Sequence, residues 1–271
     1  IISNKIKLES SDYMIFIGIL NNEAYYDTFI KLIKYAISTR IILDIIENTN
    51  TITKHRCESC QTQLKMIEMP NQIYIDILDK IEQEITNIDK HFDKFKRWCN
   101  KNAHIDTIID GGNIGYFNNQ HSKSISIIQI NSLISQLNDQ NIKLFLHNRH
   151  VRKLNEREQV IVDNWRENDI LYLTKSKIND DYYWLYFSIF QKLNKKTINV
   201  ISNDNMRDHI FYISENLQYI RNEIQVKYQL DDYNFLLMYP PNYSMITQIS
   251  ENHIHIPTES GKWLCISRLN I

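Results

Sequence analysis

Glycine is scarce in this chain: five residues in 271. No stretch rich in glycine or serine divides the sequence, so its parts are expected to pack closely. Proline is equally rare, at four, and three of these (Pro240, Pro241 and Pro257) fall near the C-terminus. Four cysteines, Cys57, Cys60, Cys99 and Cys265, are too few for a disulfide scaffold at this length, and a reducing compartment is the expectation. Charge of one sign is missing too. Thirty-one basic residues face 32 acidic ones, for a net charge of −1. A nucleic-acid binder of this balance must gather its positive charge into patches. No apolar run approaches the roughly 18 residues that would span a bilayer. The first residue is Ile1 rather than methionine, and the expectation is a trimmed chain or fragment, with a targeting segment or an N-terminal domain left open.

What is present has an order. Residues 1–66 are mixed, with a strand or short buried helix at 13–20 and a helix at 25–47. No repeat of about 35 residues is visible, so a helical-repeat array is not expected here. From Asn71 to Trp98 the apolar positions step by three or four, which predicts one long helix or two in succession. Residues 104–224 alternate in type. Short apolar runs at 105–109, 143–147, 170–173 and 197–201 are separated by helix-length segments at 122–137, 155–167, 181–193 and 206–217. That pattern predicts a parallel sheet with helices on both faces. Beyond it, strands at 224–230, 245–249, 253–256 and 263–267 are expected to form a separate small antiparallel sheet.

Three of the five glycines, Gly111, Gly112 and Gly115, crowd behind one aspartate in TIIDGGNIGYF (107–117). Neither the dinucleotide-binding spacing nor a phosphate-loop lysine is there. The glycines are expected to let the backbone turn sharply, and what the turn presents is the carboxylate of Asp110. Asp180 and Asp181 open the helix after the third strand, and Asp204 follows the fourth. All four therefore fall at the carboxyl edge of one sheet, where α/β proteins bind ligands. Converging carboxylates repel each other unless cations join them. Oxygen ligands of this kind suit Mg²⁺ or Mn²⁺, and a pair of such ions can cleave a phosphodiester. Taken singly, an aspartate before a helix is most often an N-cap. Capping suits Asp180, Asp181 or Asp204, and is not expected to explain Asp110 followed by Gly-Gly-Asn.

The strings DGGNIG (110–115), LHNRH (146–150), NDDYYW (179–184), SNDNMRDH (202–209) and PPNYS (240–244) resemble, in order, the metallonuclease domain of protein-only ribonuclease P. The likeness covers roughly residues 50–268. The aspartate pair before Tyr-Trp and the N-D-x-M-R-D-H string are specific to that family, whereas the Asp-Gly-x-Asn turn is shared with the wider PIN-like (NYN) nucleases. The resemblance implies a PIN-like, Rossmann-like parallel sheet flanked by helices, plus a small antiparallel zinc-binding sheet made by the N- and C-terminal parts. The corresponding division is 1–66 with 225–271 as a zinc-binding connector, 67–103 as connecting helices and 104–224 as the nuclease. It implies removal of the 5′ leader of precursor tRNA, leaving a 5′-phosphate, with Asp110, Asp180, Asp181 and Asp204 as catalytic residues binding two Mg²⁺ or Mn²⁺ ions. Asp208 would be a nearby fifth carboxylate, with Asn113, His147 and Arg149 close to the site. Gly112 stands where the family usually has alanine, and Tyr182 where it has tryptophan. Family members in eukaryotes usually carry a helical-repeat RNA-binding domain, which residues 1–50 do not show. Such a domain, or a partner subunit, is a further expectation.

Cys57-x-x-Cys60 alone is either a redox pair or half of a zinc site. With His253, His255 and Cys265 it completes a Cys3His set, and pattern alone leaves the two histidines open. The resemblance implies one structural Zn²⁺ held by Cys57, Cys60, His255 and Cys265. Cys99, on the apolar stripe, reads as a core thiol. Basic runs at 90–97 and 149–153 are the candidates for RNA phosphate contact. Two other readings stand beside tRNA processing: a PIN-like endoribonuclease with another RNA target, and a non-catalytic RNA-binding subunit.

Overall fold

The structure is a computed structural model and describes residues 49–50, 52–53, 55–87, 89–90, 92–118, 124–137, 141–174, 180–232, 234–250, 253–257 and 262–267. The elements expected at 13–20 and 25–47 lie outside the described residues. The chain order begins with short strands β1 (Thr49–Asn50), β2 (Ile52–Thr53) and β3 (Arg56–Cys57), followed by helices α1 (Asn71–Thr86) and α2 (Phe92–Lys101). Strand β4 (Thr107–Asp110) leads to α3 (Gly111–Tyr116) and α4 (Ile127–Gln136), then β5 (Ile142–His147), α5 (Glu156–Glu167), β6 (Leu171–Thr174) and α6 (Asp180–Leu193). After β7 (Asn199–Ile201) come α7 (Arg207–Tyr212), α8 (Leu217–Ile224), β8 (Gln225–Asp231), β9 (Asn234–Met238), β10 (Gln248–Ile249), β11 (His253–Pro257) and β12 (Trp263–Ser267). Among the described residues two compact units result: Glu68–Pro240, and 49–67 taken with 241–267.

The larger unit is built on a six-stranded sheet in the order β6-β5-β4-β7-β8-β9, parallel except for the antiparallel edge strand β9. Its strands read as continuous apolar runs because helices cover both faces. Successive side chains point to opposite sides. Ile108, Phe145 and Val200 join a core with α1, α2 and α6, while Ile109, Leu144, Leu146 and Ile201 join a second core with α4 and α5. Helix α1 buries Tyr74, Ile77, Leu78, Ile81 and Ile85, the three-and-four spacing read from the sequence. The stripe from 71 to 98 divides into two helices. Asn155 starts α5 with a full capping box to Glu158.

Two expectations need correction. The segment 206–217 is not one helix: α7 ends at Tyr212 and α8 begins at Leu217. The strand expected at 224–230 does not belong to the small sheet. Gln225 and Val226 pair in parallel with Val200 and Ile201, so β8 extends the main sheet. Its alternating burial belongs to a strand near a sheet edge, whose Val226 and Tyr228 still enter the core of the larger unit. The small sheet itself is antiparallel, in the order β1-β12-β11-β10, and β2 with β3 forms a separate two-stranded pair. Among the described residues its buried apolar side chains are Ile254, Ile256, Trp263 and Leu264, with His255 buried beside them, a small apolar content for a unit of this kind.

Candidate active site and metal cluster

The chain leaves β4 towards β5 and β6 on one side, then crosses back to β7 on the other. The carboxyl ends of β4 and β7 therefore flank the point where the winding reverses, the usual ligand crevice of an open α/β sheet. Asp110 is the last residue of β4 and is almost fully buried. Its Oδ1 accepts the Asn113 backbone N–H at 3.0 Å, and its Oδ2 accepts the Ser202 hydroxyl at 2.7 Å. Asp110 is thus the N-cap of α3. Capping was not expected to explain this aspartate, yet it uses one oxygen, because the chain enters a helix directly from the strand.

The glycines behind Asp110 also play a different part from the one expected. None takes a left-handed φ. Gly111 and Gly115 are required by closeness. A Cβ on Gly111 would lie 2.8 Å from the Phe145 carbonyl oxygen, and one on Gly115 would lie 2.7 Å from Ile125 Cβ. Gly112 has room for a Cβ instead, which would sit at ordinary contact distance, 3.7 Å, from both Asp110 Oδ1 and Asp180 Oδ2. One point therefore lies within van der Waals reach of two carboxylates carried by different elements.

Asp180 and Asp181 occupy the first turn of α6, where the helix dipole favours negative charge. Asp181 Oδ1 accepts the Trp184 indole N–H at 3.1 Å, and its Oδ2 lies 3.5 Å from His209 Nε2. Asp204 sits in the loop after β7; its Oδ1 accepts the Met206 N–H at 3.0 Å, and its own N–H donates to Ser202 Oγ at 3.1 Å. Gln225 steadies that loop by donating to the carbonyls of Ser202 and Asp204, at 2.8 and 2.6 Å. All four aspartates line one cavity of about 360 Å³, together with Asn113, Arg149 and His150. Burial, and then the charge of Asp181, push the Asp110 carboxyl well above the carboxylate range. The same two causes push Asp180 up to about 6. Protonation or a bound cation relieves that penalty, and four oxygen donors around one space suit a hard cation.

The remaining sequence candidates divide. Asn113 lines this cavity and an adjoining one of about 640 Å³. Arg149 reaches the first cavity, whereas Asp208 is exposed and lines only the second. His147 lines neither; its Nδ1 accepts the Arg149 backbone N–H at 3.1 Å and caps the short turn Asn148–Val151. The basic run at 90–97 is partly committed to ion pairs, with Lys96 2.6 Å from Glu82 and 3.0 Å from Asp93. Sequence reasoning assigned no role to Ser202, His209 and Tyr228. The Tyr228 hydroxyl donates to Asn113 Oδ1 at 2.7 Å, and the same oxygen accepts the Asn203 N–H at 2.8 Å. Ser202 and His209 sit inside the SNDNMRDH string and were open to that reading. Tyr228 was hidden by the misplacement of its strand.

In the smaller unit, the ligand atoms of Cys57, Cys60, His255 and Cys265 all lie within 4.8 Å of one another. Three sulfurs and an imidazole nitrogen at that spacing fit a tetrahedral structural zinc. His255 is the histidine brought in, with Nε2 3.2 Å from Cys60 Sγ. His253, two residues before it on β11 and opposite Ser267, turns its Nδ1 to the Thr62 hydroxyl at 3.4 Å. Cys57 ends β3 and Cys60 lies on the turn that follows it, while β11 and β12 bring His255 and Cys265 side by side. Cys99 is a buried core thiol of α2.

Comparison with known proteins gives a consistent result. The family model of protein-only RNase P matches residues 52–265. Proteinaceous RNase P 2 of Arabidopsis thaliana is 31% identical over 253 residues, covering 83% of this chain and 47% of that protein. Proteinaceous RNase P 3 of the same plant is 28% identical over 251 residues, covering 83% of this chain and 43% of that protein. A solved structure of the Arabidopsis nuclear protein-only RNase P 2 superposes with a TM-score of 0.67 at 32% identity, covering 81% of this chain and 48% of that one. A crystal structure of the same plant protein gives 0.69 at 30% identity. The chain spans less than half the length of these relatives.

Proposed function

Because the chain belongs to the protein-only RNase P family, we propose that it is a metal-dependent endoribonuclease that removes the 5′ leader of precursor tRNA. The observation that carries the reading is the convergence of Asp110, Asp180, Asp181 and Asp204 on one cavity. A fold that merely held RNA would have no use for buried like charges so close together. The four carboxylates hold Mg²⁺ or Mn²⁺ in this reading. Two such ions, when bound, supply an activated water and stabilise the leaving oxygen of a phosphodiester. Hydrolysis then leaves a 5′-phosphate on the tRNA and a 3′-hydroxyl on the leader.

The chain's own groups set the geometry. The Asn113 N–H and the Ser202 hydroxyl aim both oxygens of Asp110. The Trp184 indole and His209 do the same for Asp181. Arg149, on the cavity wall, meets a substrate phosphate. His150 beside it is pushed down to about 4, by burial first and then by Arg149, so it stays neutral and leaves the positive charge to Arg149. In the smaller unit, Cys57, Cys60, His255 and Cys265 hold one structural Zn²⁺ that stands in for a large apolar core.

The test uses a 5′-labelled precursor tRNA with Mg²⁺, beside the Asp180→Asn/Asp181→Asn variant, with the cut mapped. A single cut at the leader junction, lost in the variant, is expected. Cleavage elsewhere would favour a PIN-like nuclease with another RNA target. Binding without cleavage by the wild type would favour a non-catalytic subunit.

A further inference from the structure

The two cavities meet at Asn113, Asp181 and Asp204 and differ in chemistry. One wall of the first carries Arg149. The second adds Asp208 to the shared aspartates, has Arg207 as the one arginine or lysine among its described lining residues, and ends at Tyr212. Helix α7 closes with Phe211 and Tyr212, which are 81% and 74% exposed, the two most exposed large hydrophobic side chains among the described residues. Their rings stand perpendicular with centroids 5.0 Å apart. The helix beneath them is anchored, because Met206, His209 and Ile213 are buried. Tyr212 is therefore held in water at the rim of the carboxylate cleft with Phe211 exposed against it, an arrangement that folding alone does not reward.

An RNA crossing the carboxylates has two sides to place. The duplex side keeps its bases stacked and offers phosphates, which suit the Arg149 wall. The Tyr212 side is predominantly acidic and repels a phosphate backbone. What it can accept is the face of an unpaired base, since base–aromatic stacking needs no charge and tolerates any sequence. We propose that Tyr212, with Phe211 against it, is the stacking platform for the unpaired leader nucleotides on the 5′ side of the cut. This rests on the tRNA-processing reading, and it gives the RNA a direction: acceptor stem over Arg149, leader over α7.

The experiment compares the Kd of the full chain for precursor tRNAs bearing a single-nucleotide leader or a leader of several unpaired nucleotides. In the wild type the longer leader should bind about tenfold more tightly, the worth of one or two stacked bases. In Phe211→Ala/Tyr212→Ala that ratio should collapse to near one, and in Tyr212→Phe, which keeps the ring, it should persist. An unchanged ratio in the double variant, as expected if a protein surface covers the pair instead, would overturn the proposal. So would a ratio lost equally in Tyr212→Phe. Cleavage by the wild type is scored separately, so a failure of the tRNA-processing reading is seen as no cut at the junction, whatever the leader does to binding.

Discussion

Replacing Asp180 with asparagine should make the protein more stable and less active, and the size of the first effect follows from the site. Burial and the neighbouring Asp181 raise the Asp180 carboxyl from the ordinary 3.8 to about 6. The folded state therefore holds that proton more tightly than the unfolded chain does. The carboxyl contributes no penalty below about pH 4, and stability is lost as the pH rises through about 6. At pH 7 without divalent cations the ionised form costs about 3 kcal/mol. Asparagine removes the charge but accepts the Asp180 and His147 backbone N–H groups more weakly than a carboxylate, so a net gain of about 1–2 kcal/mol is expected. That corresponds to a rise of about 2–8 °C in melting temperature for a domain of this size. The assay is thermal unfolding of wild type and variant, dialysed free of added divalent ions, at pH 7 and pH 4.5, then with Mg²⁺. The gain should appear at pH 7, shrink at pH 4.5, and be offset when Mg²⁺ stabilises the wild type alone. A variant no more stable than wild type at pH 7, or equally stabilised at both pH values, would refute the account of the carboxylates as a strained cation site.

Four further outcomes are expected. Cleavage should stop in EDTA and return with Mg²⁺ or Mn²⁺ while bound zinc, measured by elemental analysis, survives mild chelation. His255→Ala should lose zinc and unfold the smaller unit at lower temperature, whereas His253→Ala should retain the metal; equal zinc loss in both would show that the cluster geometry is wrong. Gly111→Ala should destabilise by about 1–3 kcal/mol in urea titrations, because its Cβ meets the Phe145 carbonyl, while Gly112→Ala should be nearly neutral. Tyr228→Phe should cost about 1 kcal/mol by removing the hydroxyl that holds Asn113, with a measurable drop in cleavage rate and no change in the cut position.

The carboxylate face was legible in the sequence because a parallel sheet buried on both sides must be written as apolar runs, and the residues that follow each run must lie at one edge. That logic assigned Asp110, Asp180, Asp181 and Asp204 to a common edge. Cys57-x-x-Cys60 alone was legible as a redox pair or half of a zinc site, and it was Cys265 with a nearby histidine that completed a tetrahedral set. The sequence by itself thus determined the parallel sheet, the carboxylates at its edge and the composition of the Cys3His cluster. Tertiary structure decided matters that depend on partners far along the chain. Whether β8 joined the small sheet or the main one rested on a parallel pairing with Val200 and Ile201, which strand pattern alone does not encode. Tyr228 could not be tied to Asn113 until that pairing was known. His253 and His255 share a strand face, so only the packing of β11 against the Cys57–Cys60 turn selected between them. The glycines behind Asp110 were read as a turn because a local rule was applied to them. Their real constraint is crowding by Phe145 and Ile125, residues brought close by the fold, and such contacts are not written in the sequence around them.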